Sequence, residues 1–424
     1  NNTNINWDIA EATLDLNKKD VGVSARLFSN QLFIGKMDYL NNKECSIWGE
    51  LTIKKDTFFI NTSKVLIENV FSEVSGSIVN KNKLDLNIIS TSQELNSIIN
   101  HAPEKFKKLC APFIAEGIFD CDATIKGFIS KSSNPSFNMD FKISNGDFKL
   151  KSRPFVLNNI NTSGNITNGE ASNFQSTKIT CSEFSANPKN GSINGEFTIN
   201  NLNKYFLNAR LNSIWDLSEV NHYFEDSPFF DLTGQLTAST NYKGNLAFDK
   251  RFKDYFINSI HNSETNFSGI NFKYLNSPLD FNIDSANCSF NNNIINIKAS
   301  SLHISESNLT FTGKLESFIP YLLQETDKMY ISGDLNSSRI SFSELMTITD
   351  ISKEESTNSL PKWVSVDIST RVSDFRYDNF NARNLIGKLK YNNQVLRGFG
   401  LSISWIGSTF SHTTASLLGA LSFM

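Results

Sequence analysis

Apolar and polar residues alternate with a period of two along much of this chain. Val364, Val366, Ile368, Thr370 and Val372 are interleaved with Ser365, Asp367, Ser369 and Arg371, which predicts a strand after Pro361 with one apolar and one polar face. Leu84, Leu86 and Ile88 behave alike, as do Phe141, Ile143 and the pair Phe148 and Leu150. His303 lies between Leu302 and Ile304 and falls on the polar face of such a strand. Asn-Gly pairs at 145–146, 168–169, 190–191 and 194–195 supply the positive φ that tight hairpins need. The pattern predicts an antiparallel meander with one wet face. Helical spacing is confined to short stretches at Glu104–Glu116, Arg251–Ile260 and Glu316–Gln324, and the polar run Ser352–Ser359 reads as a linker or loop.

Longer periods emerge when the chain is compared with itself. Thr91 and Glu94, Asp216 and Glu219, and Ser341 and Glu344 each place a capping residue three before a Glu, which predicts three helix starts at equal intervals. Gly76, Gly195 and Gly313 recur at nearly the same interval, and Gly117 to Gly127 resembles Gly234 to Gly244. These offsets divide the chain into about three repeats of roughly 120 residues. The expected boundaries are 1–115 (a partial first β repeat ending in a helix), 116–232, 233–352, and a partial fourth repeat at 353–424 with a truncated end.

Composition narrows the function. Forty basic against 43 acidic residues give a net charge of -3, so no basic field exists to hold a nucleic acid. No run of 18 apolar residues occurs, so no spanning helix is visible, and none of the chain looks like a signal peptide. The start at Asn1 without Met and the uncharged end from Gly398 to Met424 read as marks of a fragment, with any targeting segment upstream. Cys45, Cys110, Cys121, Cys181 and Cys288 are odd in number and irregular in spacing, so they read as buried apolar thiols and not as disulfides or metal ligands. No catalytic motif occurs, and Asp216, Glu219 and His222 are better explained by helix capping, so neither an enzyme nor a cofactor is expected. The 35 Phe call for a large inner apolar surface. Asn at about one residue in eight is far above ordinary usage and reads as coding bias.

One-sided strands over most of the chain leave an apolar face that few helices can cover. A sandwich, a closed barrel and a curled trough are the available solutions. The series Leu309 to Leu323, then Ile331-Ser-Gly-Asp-Leu-Asn-Ser-Ser-Arg-Ile-Ser-Phe-Ser-Glu-Leu345, then Leu360-Pro-Lys-Trp363 and Phe375-Arg-Tyr-Asp-Asn-Phe380 resembles the C-terminal region of the AsmA family, in its Bacteroidetes-type members. The resemblance implies a mainly β fold, an elongated twisted antiparallel sheet curled into an apolar groove, related to the repeating β-groove bridge-like lipid-transfer proteins. It also implies a non-enzymatic, periplasmic role in outer-membrane biogenesis. Phospholipid acyl chains would pass along the groove, and an N-terminal inner-membrane helix missing from this chain would anchor it between inner- and outer-membrane partners. On that reading Phe141, Ile143, Phe148, Phe272, Val364, Val366, Ile368 and Val372 line the groove. The rival expectation is a surface or secreted β-sandwich, an adhesin or carbohydrate-binding repeat protein, whose Trp7, Trp48, Trp215, Trp363 and Trp405 would stack on sugars.

Overall fold

The structure is a computed structural model that describes residues 3–415 apart from 17–19, 35–36, 41–42, 81, 103–106, 109, 131–132, 152–153, 222–228, 248–250, 275–276, 323–325, 327, 348–363, 378–379, 394 and 406–407. Among the described residues strands make up about 75% and helices about 9%, so these helices cannot cover a sheet face along its length. The chain divides into two compact units, Asn1–Arg210 with Asn245–Phe248, and Leu211–Gly244 with Asp249–Met424.

The first unit contains β1 (Thr3–Leu16), β2 (Asp20–Ile34), β3 (Met37–Leu40), β4 (Lys43–Lys54), β5 (Thr57–Ile67), β6 (Val70–Val79), β7 (Lys83–Glu94), α1 (Leu95–His101), β8 (Phe113–Phe128), β9 (Ser136–Leu150), β10 (Val156–Thr167), β11 (Lys178–Asn187) and β12 (Ser192–Asn200). From β4 to β12 each strand pairs antiparallel with the next, while β2 pairs with β1, β3 and β4. The division between the units falls inside β13 (Phe206–Asp216). The second unit continues with α2 (Leu217–Asn221), β14 (Phe229–Asn245), α3 (Phe252–Ile257), β15 (Ile260–Tyr274), β16 (Asp280–Asn291), β17 (Ile294–Ile304), β18 (Ser307–Glu316), α4 (Phe318–Leu322), β19 (Met329–Ser341), α5 (Phe342–Thr347), β20 (Val364–Tyr377), β21 (Phe380–Asn392), β22 (Val395–Trp405) and β23 (Ser408–Ala415). In both units the sheet is curled and open. Among the described residues β1 pairs only with β2, and β23 only with β22.

One pairing departs from the expected meander. β19 and β20 run parallel, Met329 opposite Val364 through Ser341 opposite Arg376. Parallel neighbours need a crossover of a dozen or more residues. The stretch between Ser341 and Val364, which begins with α5, is long enough to supply it.

The structure also corrects the hairpin reading of two Asn-Gly pairs. Asn190-Gly191 turns between β11 and β12, and Asn168-Gly169 opens the loop after β10, but Asn145-Gly146 and Asn194-Gly195 lie inside β9 and β12. Asn145 has φ 50° and marks a bulge, with the β8–β9 register slipping between Glu116 and Ile118. A bulge inserts one residue, so the inward parity changes from odd to even. On β9 it passes from Phe141 and Ile143 to Phe148 and Leu150. A phase change also occurs at Asp231 on β14 and Gly269 on β15, from odd to even, and at Ser92 on β7 and Asn384 on β21, from even to odd, each with φ between 50° and 57°. Each bulge lets one apolar face continue along a bent strand.

Bulges free backbone N–H groups, which need partners. Asp120 Oδ1 accepts from Ser92 N at 2.7 Å, Asn161 Oδ1 from Asn145 N at 3.1 Å, and Asn308 Oδ1 from Ser338 N at 3.0 Å. Part of the asparagine excess therefore has a structural use: Asn tolerates the left-handed conformation and its short amide reaches a neighbouring bulge. Coding bias is not its whole explanation.

The helices follow the strands more closely than the spacing suggests. α1 begins after Glu94, which occupies its N-cap position with no side-chain cap bond, and Thr91 lies inside β7, so the expected capping box at Thr91 and Glu94 is not formed. The bulge at Ser92 explains the shift, because it carries the strand on to Glu94. Asp216 immediately precedes α2, and its Oδ1 accepts from Ser218 N at 2.9 Å and from Ser218 Oγ at 2.6 Å, with Glu219 in the first turn. Ser341 ends β19 immediately before α5, with Glu344 in that helix's first turn. Of Glu104–Glu116, residues 107, 108 and 110 are helical and β8 already starts at Phe113. The stretch Ser352–Ser359 lies outside the described residues.

Candidate functional site: the apolar sheet face

Within each unit the apolar face is an ordered row of side chains, partly roofed by the short helices. In the first unit Phe119, Phe141 and Cys181 form a buried cluster, with Leu95 and Ile98 of α1 packed against it beside Ile143, Met139 and Phe197. In the second unit Phe318 of α4 packs on Ala286, Cys288 and Ile295, and with Tyr321 on Met329, Val364 and Tyr391. Phe342 of α5 packs on Ile340, Val372, Leu385 and Leu401. Aromatic rings continue between neighbouring strands. Phe229 meets Phe272 edge-on at 5.3 Å, Phe272 stacks on Phe281 at 5.0 Å, and Phe113 lies 4.6 Å from Phe148. These rows are where much of the phenylalanine excess goes.

The eight residues expected to line a groove separate into two groups. Phe141, Val364 and Val372 are 9%, 8% and 1% exposed, so protein packing occupies them. Ile143, Phe148, Phe272, Val366 and Ile368 are half-buried and keep part of their surface open. All eight were read as inward-facing alternates, a reading that did not say where a helix would land. The opposite face is not purely polar: Ile89, Ile118 and Phe230 are exposed there, and Lys83 and Lys390 sit over the rings of Phe128 and Phe399 at 5.7 and 5.8 Å.

Ser301, His303 and Asp284 meet on the wet face: Ser301 Oγ donates to Asp284 Oδ2 at 3.1 Å, and His303 Nε2 lies 3.1 Å from that same oxygen and 3.5 Å from Ser301 Oγ. Among the described residues no group of His, Cys, Asp and Glu is arranged to hold a metal, and no helix is long and apolar enough to cross a membrane. Cys45, Cys181 and Cys288 are buried free thiols, and burial pushes Cys181 and Cys288 up to about 11.

His261 has an unusual place under α3. It is 5% exposed, its ring stacks on Phe256 at 4.9 Å, Nδ1 meets Ser259 Oγ at 3.0 Å, and Nε2 has no partner. Burial lowers its pKa from 6.5, because a charged ring there would be desolvated with nothing to pair it. The neutral form is favoured by folding, so its contribution is complete above pH 6.5 and falls as pH drops toward the lowered folded value. Urea midpoints of the wild type are expected to decline through that window more steeply than those of His261→Leu. Parallel pH profiles for the two proteins would exclude a role for this ring.

A cavity open to solvent lies beside α1. It has a volume of about 640 Å³ and is lined by Lys43, Glu68, Asn69, Ser97, Asn100, His101 and Lys107. Glu68 Oε2 lies 3.0 Å from Lys43 Nζ and 2.9 Å from His101 Nε2, and the hydrogen bond from Lys43, followed by that from His101, holds its carboxyl below the usual range. Sequence spacing offered no sign of this group, which draws on β4, the β5–β6 turn and α1. Comparison with protein-family models, curated proteins and solved structures finds no match.

Proposed function

We propose that this protein binds lipid acyl chains along its apolar sheet face and lets them pass along it without chemistry. The observation that supports this is the incomplete cover of the apolar face within each unit: Ile143 and Phe148 in the first, and Phe272, Val366 and Ile368 in the second, stay half-open beside residues buried under helices. Each methylene moved from water onto such a surface gains about 0.8 kcal/mol, and the contact is non-directional, so a chain can slide. The resemblance to AsmA-like proteins adds the setting, with phospholipid moving across the periplasm of a two-membrane bacterium, membrane partners at both ends and outer-membrane biogenesis as the outcome. A sandwich of the adhesin type would divide the strands between two stacked sheets. The unbroken runs of paired neighbours, β4 to β12 and β14 to β23, favour the groove instead.

The test is organic extraction and mass spectrometry of the chain purified without detergent. Phospholipid is expected near stoichiometry and is expected to be lost in Ile143→Asp and Val366→Asp, with far-UV circular dichroism unchanged. A folded wild-type protein free of lipid, and unable to take up a fluorescent fatty acid, would sink the proposal.

A further inference from the structure

α1 has two dissimilar sides. Leu95 and Ile98 face the apolar cluster of Phe119 and Phe141, whereas Ser97, Asn100 and His101 line the cavity. The helix therefore stands between the apolar cluster, at whose edge Ile143 stays half-open, and a place suited to something charged. The described residues that line the cavity carry polar side chains, Lys43, Lys107 and Glu68 among them, with the His101 ring alongside. The two ring nitrogens of His101 face Ser97 O at 2.6 Å and Glu68 Oε2 at 2.9 Å. Asn69 Nδ2 donates to Ser97 Oγ, which in turn donates to Glu94 Oε2 at 3.2 Å, fixing the back of the cavity.

A single carboxylate oxygen of Glu68 occupies the point where Lys43 and His101 converge. A phosphate oxygen is an acceptor of the same kind, and Lys107 also lines the cavity. Glu68 is 40% exposed on its side chain and sits on the β5–β6 turn, so it can turn to solvent when a stronger anion arrives. The volume is far more than a carboxylate needs and accommodates a glycerophosphate.

We infer that this cavity binds the phosphate of an amphiphile whose acyl part lies on the adjoining apolar face beyond α1. The acyl half of the inference rests on the function proposed above, and the phosphate half stands without it.

The two halves are separated by titrating the wild-type chain, labelled at its histidines, with glycerol 3-phosphate, with dihexanoyl phosphatidate below its micelle concentration, and with hexanoate. Ring resonances of His101, identified by their absence in His101→Gln, are expected to move saturably with phosphatidate, more weakly with glycerol 3-phosphate, and not with hexanoate. Lys43→Ala combined with Lys107→Ala is expected to weaken both phosphate compounds about tenfold or more, whereas Ile143→Asp is expected to weaken phosphatidate alone. Failure of both phosphate compounds to move these resonances overturns the inference, as does unchanged affinity in the lysine variant. Phosphatidate that binds while His101 stays still would leave the acyl-chain reading standing and remove the cavity from it. Equal affinity for phosphatidate and glycerol 3-phosphate would overturn the lipid source in favour of a free phosphate ester. The wild-type titrations decide these points even if a variant fails to fold.

Discussion

Val372→Asp is expected to unfold the region around β19 to β22 at ordinary temperature. Val372 is 1% exposed and sits among Ile340, Leu385 and Leu401, with Phe342, Phe375 and Leu335 around them. Its backbone pairs with Ser337 on one side and Leu385 on the other. The nearby cations Arg339 and Arg376 are already paired with Asp374, so an added carboxylate has no counter-ion. An uncompensated buried charge costs about 3 to 5 kcal/mol, and the lost valine contacts add about 1 to 2. A loss of that size is comparable with the whole stability of a domain. Val372→Ala, which only leaves a void, is expected to cost about 2 kcal/mol. In a strand array each element leans mainly on its neighbours, so the damage is expected to stay local. Hydrogen exchange would show it: amides of β19 to β22 should lose protection while those of β8 to β11 keep theirs. Protection retained throughout in Val372→Asp would mean that this cluster does not hold the second unit together. Ile386→Asp, whose wild-type side chain is 45% exposed on the other face, is the matched control and is expected to cost under about 1 kcal/mol.

The contrast between Val372 and Val366 shows how much of the site the sequence carried. Both belong to one alternating run, and period two places them on one face, where the structure also has them. Alternation records which face a residue points to and says nothing about what lies on it. The distinction comes from α4 and α5, whose Phe318, Tyr321 and Phe342 pack on the face at particular points. The bulges were visible only as slips in phase, as between Ile143 and Phe148, and an Asn-Gly pair in the middle of a strand looks the same as one in a hairpin. The local sequence demands a positive φ in both cases, and only pairing with the neighbours decides between bend and turn. The parallel step from β19 to β20 depends on a pairing choice between distant segments, which no local pattern encodes. The cavity needed Lys43, Glu68 and His101 to converge from three separate elements, which spacing along the chain does not reveal. Gly76, Gly195 and Gly313, which recur at nearly equal intervals in the sequence, fall on β6, β12 and β18.

Gly333→Ala is expected to be the most damaging methyl group that can be added to the second unit. Gly313 and Gly333 stand opposite each other in the β18–β19 ladder. A Cβ on Gly333 would lie 2.2 Å from Thr312 O and 2.6 Å from Gly313 Cα, and its φ of 152° is one that L side chains rarely adopt. Both obstacles are backbone, so no side chain can swing aside and the ladder itself must open. Strain of this kind costs about 1 to 3 kcal/mol for the dihedral alone, with the clash in addition. Gly269 separates the two contributions. It also has a positive φ, 57°, but nothing lies within 4 Å of an added Cβ, so Gly269→Ala is expected to cost only about 1 kcal/mol. Gly269→Asn is expected to cost still less, since Asn already fills the equivalent left-handed bulge positions at Asn145 and Asn384. Gly333→Asn should gain no such relief, because its difficulty is the approach of two backbones. Urea midpoints of the four variants order these effects. If Asn rescued position 333 as well as position 269, the glycine there would be a matter of dihedral preference and the close approach of β18 to β19 would not be what selects it.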